Sequence, residues 1–93
     1  MVYVVERYLP GLPRTELERL LERLSRAARE LESEGTPVRY LGSTIVPGDE
    51  ACFCQFQAPS EQAVAEVNRR ADAPFDRIVS GVIVPSAAGE EEK

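Results

Sequence analysis

Cys52 and Cys54 are the only two cysteines in the chain, and a single residue, Phe53, separates them. Side-chain direction on a strand repeats every two residues, so both thiols point to one face if residues 51–58 are extended. Two thiolates side by side chelate a soft or borderline ion such as nickel, zinc or copper. A tetrahedral zinc takes four ligands and one chain supplies two. A two-fold related copy, or Asp49, Glu50 or a backbone amide, would have to complete the set. The same residues equally suit a sheet core, where free cysteines behave as small apolar side chains. A disulfide between them is disfavoured, because their α-carbons would lie roughly 6.7 Å apart on an extended strand, at the edge of disulfide geometry.

A second group is polar and comprises Glu6, Tyr8, Tyr40, Asp76 and Arg77, with Arg7, Ser43, Thr44 and Gln55 among its neighbours in the pattern. Alternation places Glu6 and Tyr8 on one face of the first strand and Arg7 on the other. Whichever members line the open face of a sheet would converge as the polar groups of a ligand site do. Glu6 or Asp76 would act as a base once desolvated, with Tyr8, Tyr40 or Arg77 steadying a developing negative charge. The plainer reading is that Glu6, Arg7 and Arg77 form ion pairs that brace strand ends.

Composition narrows the chemistry. Histidine is absent from the 93 residues, which removes the commonest general base and the commonest metal ligand together. The net charge of −5, from 16 acidic and 11 basic residues, opposes nucleic-acid binding, which needs a surplus of Lys and Arg. There is no polybasic segment for an anionic membrane, no apolar run near the ~18 residues of a membrane helix, and no signal peptide at the start. A cytoplasmic protein with reduced thiols is the expectation.

The elements that must position these residues are legible from periodicity and punctuation. Residues 2–8 read as a strand closed by Leu9-Pro10-Gly11-Leu12-Pro13. Thr15 and Glu18 have capping-box spacing, and Leu17, Leu20, Leu21, Leu24, Ala28 and Leu31 form one helical stripe that Gly35 and Pro37 terminate. Residues 38–46 and 51–58 make a hairpin about Pro47-Gly48-Asp49-Glu50. Ser60 caps a second helix, which Asp72-Ala73-Pro74 breaks, and residues 76–84 make the fourth strand. Glycine inside a strand marks a bulge or close backbone approach, which applies to Gly42 and Gly81.

Strand, helix, strand, strand, helix, strand is the ferredoxin-like α+β pattern: a four-stranded antiparallel sheet with both helices on one face. One domain spans residues 1–85, followed by a disordered acidic tail at 86–93. The strands are apolar on both faces while two helices cover only one. A second copy, sheet to sheet, is the simplest cover, so a homodimer is expected.

The runs Glu6-Arg7-Tyr8-Leu9-Pro10-Gly11, Arg39-Tyr40-Leu41-Gly42-Ser43-Thr44, Asp49-Glu50-Ala51-Cys52-Phe53-Cys54 and Pro74-Phe75-Asp76-Arg77-Ile78 resemble a family of small bacterial proteins, largely a domain of unknown function, that includes a nickel-binding branch. The resemblance spans residues 2–84 and implies a ferredoxin-like subunit in a dimeric α+β barrel. In the nickel-binding branch a histidine a few residues upstream works with the Cys-x-Cys; here the matching stretch, Val46 to Glu50, has none. Two sulfurs per chain and no imidazole predict weak or no nickel binding. Two functions follow: a homodimeric binding protein holding a soft divalent metal such as nickel through Cys52 and Cys54, or a cofactor-independent enzyme acting on a small organic molecule between the sheets.

Overall fold

In the computed structural model, which describes residues 1–87, the chain runs β1 (Val2–Tyr8), α1 (Arg14–Ser33), β2 (Arg39–Val46), β3 (Ala51–Gln57), α2 (Glu61–Arg70) and β4 (Arg77–Gly81). A short 3-10 turn over Pro47–Asp49 joins β2 to β3. The strands form one sheet in the order β2-β3-β1-β4 with every neighbour antiparallel. This is the ferredoxin-like α+β fold that the order of elements implies. The acidic tail expected at 86–93 lies, from residue 88 onward, outside the described residues. Among the described residues no helix is long and apolar enough to cross a membrane.

Alternation sorts each strand into two faces. Tyr3, Val5 and Arg7 of β1 are buried under the helices, and in β3 their cross-strand partners Phe56, Cys54 and Cys52 are buried with them. The leucine stripe of α1 (Leu17, Leu20, Leu24 and Leu31) and Val64 and Val67 of α2 close this face. Leu24, Val5 and Phe56 are fully buried, each contributing about 1.5–3 kcal/mol of apolar transfer. On the other face Val2, Val4, Glu6, Phe53 and Val79 are only half-buried, because no helix covers it.

The helix ends show where local signals win and where they yield. Ser60 caps α2 as expected, its hydroxyl accepting from Ala63 N at 3.2 Å. The helix α1, by contrast, begins at Arg14 with Pro13 as N-cap, one turn position ahead of the Thr15–Glu18 spacing. Proline's fixed φ, here −63°, already sets the chain for helix entry, and Pro13 O accepts the first helical bond from Leu17 N. Both helices end in Schellman motifs: Gly35 N and Thr36 N reach back to Glu32 O and Leu31 O, and Asp72 N and Ala73 N to Arg69 O and Asn68 O. Gly35 takes the left-handed position at φ +108°, where glycine is at home, but Asp72 takes it at φ +53° with a side chain. Asp72→Gly is therefore expected to stabilise the protein by about 0.5 kcal/mol in urea denaturation. A clear loss would show that the Asp72 side chain serves the folded state.

The fourth strand is shorter than its sequence. Residues 76–84 carry continuous strand propensity, yet the ladder stops at Gly81, whose partner is Val2. Strand β1 begins at Val2, and the preceding Met1 is hydrogen-bonded to Ala58 on the β3 side.

Candidate functional site: a buried thiol pair beside a buried arginine

Strand β3 delivers both thiols to the helix-facing side, where Cys52 and Cys54 are essentially inaccessible and their sulfurs lie 3.7 Å apart. Neither forms a disulfide. Ser43 Oγ donates to Cys54 Sγ at 2.9 Å, and Tyr40 hydrogen-bonds to Ser43 in turn. Tyr40 and Ser43 are three residues apart and share a face only because a bulge interrupts β2 between Tyr40 and Gly42. Gly42, at φ +132°, supplies the backbone angle that the bulge requires. Tyr40 also packs on Phe56, ring centroids 5.2 Å apart, which fixes its ring over the thiols' neighbour.

Arg7 is the largest fully buried side chain in the described protein. Its Nη1 donates to Ala73 O at 3.3 Å and Pro74 O at 3.1 Å, and its Nη2 to Asn68 Oδ1 at 2.7 Å. Asn68 is oriented for this by donating through Nδ2 to Val64 O at 2.8 Å. Among the described residues no carboxylate pairs with Arg7, and its Nε finds no hydrogen-bond partner. The anion-forming group in its field is the thiol pair. The hydrogen bond from Cys52, the Arg7 charge and the Ser43 hydroxyl together hold Cys54 well below the ordinary thiol value, at about 6, against the opposing effect of burial. Cys52, which donates to its neighbour and is itself desolvated, is pushed up. Of the two thiols, Cys54 is the one whose ionisation its surroundings favour, with the Arg7 guanidinium among the groups that stabilise the charge.

A cavity approaches the pair on the Cys52 side. A cavity of about 290 Å³ opens between the β1–α1 loop, the first turn of α1 and the β2–β3 connection, and Cys52 forms part of its wall with Leu9, Leu12, Leu17, Ile45 and Pro47. Glu50, at its rim, is spent on Gly11 N at 2.9 Å.

A soft ion fits the two sulfurs. Metal–sulfur bonds of about 2.3 Å across a 3.7 Å separation enclose an angle of about 107°, close to tetrahedral. The protein goes no further: among the described residues no group of three or more His, Cys, Asp or Glu is placed to hold a metal ion. Completion of a four-cysteine set by a sheet-to-sheet dimer, one of the options open in the sequence, is overturned. The sulfurs lie on the helix side, so joining the open faces keeps the two thiol pairs on opposite sides of the double sheet.

The polar group of the sequence divides. Glu6, Tyr8, Asp76 and Arg77 meet at one corner of the sheet: Arg77 Nε donates to Glu6 Oε1 at 2.9 Å, Tyr8 N to Asp76 Oδ2 at 2.8 Å, and Asp76 N to Glu6 O at 2.7 Å. Both carboxylates are thus committed to bracing β1 against β4. Tyr40 stands apart on β2, with the thiols. Arg7 and Ser43, named in the sequence with the polar group, stand instead with the thiols, and Asn68 is the member that the sequence did not single out. The Gly42 bulge was the one local signal for Ser43.

The comparisons agree on the fold. The profile of a family described as "Nickel responsive protein SCO4226-like" matches residues 3–80. The crystal structure of SCO4226 from Streptomyces coelicolor A3(2) is similar over 91% of this chain and 100% of its own, with a TM-score of 0.71 at 19% identity. No curated protein matches.

Proposed function

Because the chain belongs to the nickel responsive SCO4226-like family, we propose that it is a small homodimeric, cytoplasmic binding protein that holds a soft divalent metal ion such as nickel at Cys52 and Cys54. The observation that carries this reading is the convergence of two buried sulfurs 3.7 Å apart, where the surroundings lower the Cys54 thiol. Cys52 Sγ and Cys54 Sγ would hold the ion, Ser43 orients Cys54, and Arg7 balances the thiolate charge before the ion arrives. A bound dication supplies a charge centre with positions left over for water or for a ligand entering by the cavity that Cys52 lines. The half-buried apolar residues of the open sheet face support the homodimer.

Thiophilic donors without imidazole favour zinc over nickel, and the near-tetrahedral bite points the same way. The alternative, a cofactor-independent enzyme in an inter-sheet cleft, is less supported, since its two candidate bases, Glu6 and Asp76, are already engaged. Calorimetric titration of tag-free protein with zinc and nickel, read alongside thiolate-to-metal absorption and light scattering, tests the proposal. One ion per chain is expected, zinc the tighter, on a particle of twice the 10.3 kDa chain mass. Neither heat nor a charge-transfer band with either ion would overturn the metal reading. A monomer would overturn the dimer.

A further inference from the structure

The cavity beside Cys52 is walled by Leu9, Leu12, Leu17, Ile45 and Pro47. An apolar cavity left empty costs stability in proportion to its volume. Leu12, 38% exposed on the loop between β1 and α1, would fill it by folding inward. The loop is held off instead. Glu50 O accepts from Leu9 N and Glu50 Oε2 from Gly11 N, both at 2.9 Å, while Pro10 and Pro13 fix φ on either side of Gly11. Glu50 makes these bonds from the left-handed region, at φ +51°, where a residue with a side chain is strained. A strained residue that braces the mouth of a cavity points to a use for that cavity.

We infer that this cavity binds a small, uncharged, apolar molecule against Cys52, and that Glu50 holds its mouth open. Volume sets the size. About 290 Å³ is roughly twice the ~150 Å³ that takes one benzene molecule, which suits a bicyclic ring system such as indole. Charge sets the class. The charged side chains of the lining are Arg14 and Glu50, and each is already engaged, Arg14 Nε with Glu18 Oε2 at 3.3 Å and Glu50 with Gly11 N. A charged molecule would shed water here without gaining a counter-charge, whereas an apolar one covers walls that water wets poorly. The inference needs no bound ion and stands apart from the metal reading.

The test titrates the metal-free full chain with indole and with indole-3-acetate, the same ring system bearing a carboxylate. The methyl resonances of Leu9, Leu12, Leu17 and Ile45 report binding. Indole is expected to shift these methyls with a dissociation constant below about 1 mM, and indole-3-acetate to bind about tenfold more weakly. Leu12→Trp, made at an exposed position, is expected to keep the circular dichroism spectrum and to weaken indole about tenfold by filling the cavity. Glu50→Gly, which relieves the backbone while releasing Gly11, is expected to weaken indole about tenfold, and Glu50→Gln, which keeps an acceptor, to stay within about twofold of wild type. No shift of these methyls up to about 5 mM indole, or unchanged affinity in Leu12→Trp, would overturn the site. Equal affinity for indole-3-acetate would overturn the uncharged class, and undiminished binding by Glu50→Gly would overturn the role of Glu50.

Discussion

Replacing Arg7 by methionine is expected to destabilise the protein by about 3–5 kcal/mol, the range for removing one member of a buried charged network. The apolar stem is largely kept in Arg7→Met, so the loss isolates the guanidinium. Three acceptors lose their donor, and two of them, Asn68 Oδ1 and Ala73 O, are buried where water does not readily replace it. Cys54 loses one of the groups that lower its thiol, so its pKa should rise toward the ordinary value. Urea denaturation at a fixed protein concentration measures the cost. Thermal melting should show it too, at about 4–8 °C per kcal/mol for a chain of this size. A loss below about 1 kcal/mol would mean that the β1–α2 connection does not depend on this arginine.

Cys54→Ser is expected to abolish metal binding, exceeding the about 10–100-fold cost of deleting an outer-shell partner, because a serine hydroxyl is neither soft nor ionised. The pH dependence is specific. Above pH 6 the wild-type pair carries one proton, on Cys52, so loading an ion displaces one proton and affinity should rise about tenfold per pH unit. Below pH 6 Cys54 is protonated as well, two protons are displaced, and affinity should fall twice as steeply. Stability of the metal-free protein carries the same signature. The folded thiol is lowered to about 6, whereas an unfolded cysteine has the ordinary thiol value of 9.0. The unfolded state thus binds more protons between these values, so Cys54's contribution is fully present above pH 9 and is lost as pH falls through 6. Thermal melts between pH 6 and 8 should rise with pH in the wild type and flatten in Cys54→Ser. Identical slopes would show that Cys54 is not ionised in the folded protein.

Local rules determined most of the architecture in advance. Prolines and glycines bounded the elements because they restrict φ or free it regardless of context, which is why Ser60, Gly35 and the Pro47–Glu50 connection fell where expected. The leucine stripe of α1 predicted its own buried face, since helical periodicity converts spacing directly into direction. Strand periodicity likewise put Cys52 and Cys54 side by side, and Glu6 opposite Arg7. Which face each set would take is a different kind of fact. The strands are apolar on both sides, so alternation alone leaves the choice open, and only the docking of α1 and α2 turned the thiols inward. Burial of Arg7 was equally invisible. A lone arginine reads as surface, and the groups that satisfy it, Asn68, Ala73 and Pro74, lie 61 to 67 residues away along the chain. The reach of strand β4 was also decided tertiarily: residues 82–84 have the propensity of a strand, but a strand exists only where a neighbour offers hydrogen bonds, and the β1–β4 ladder stops at the Val2–Gly81 pair.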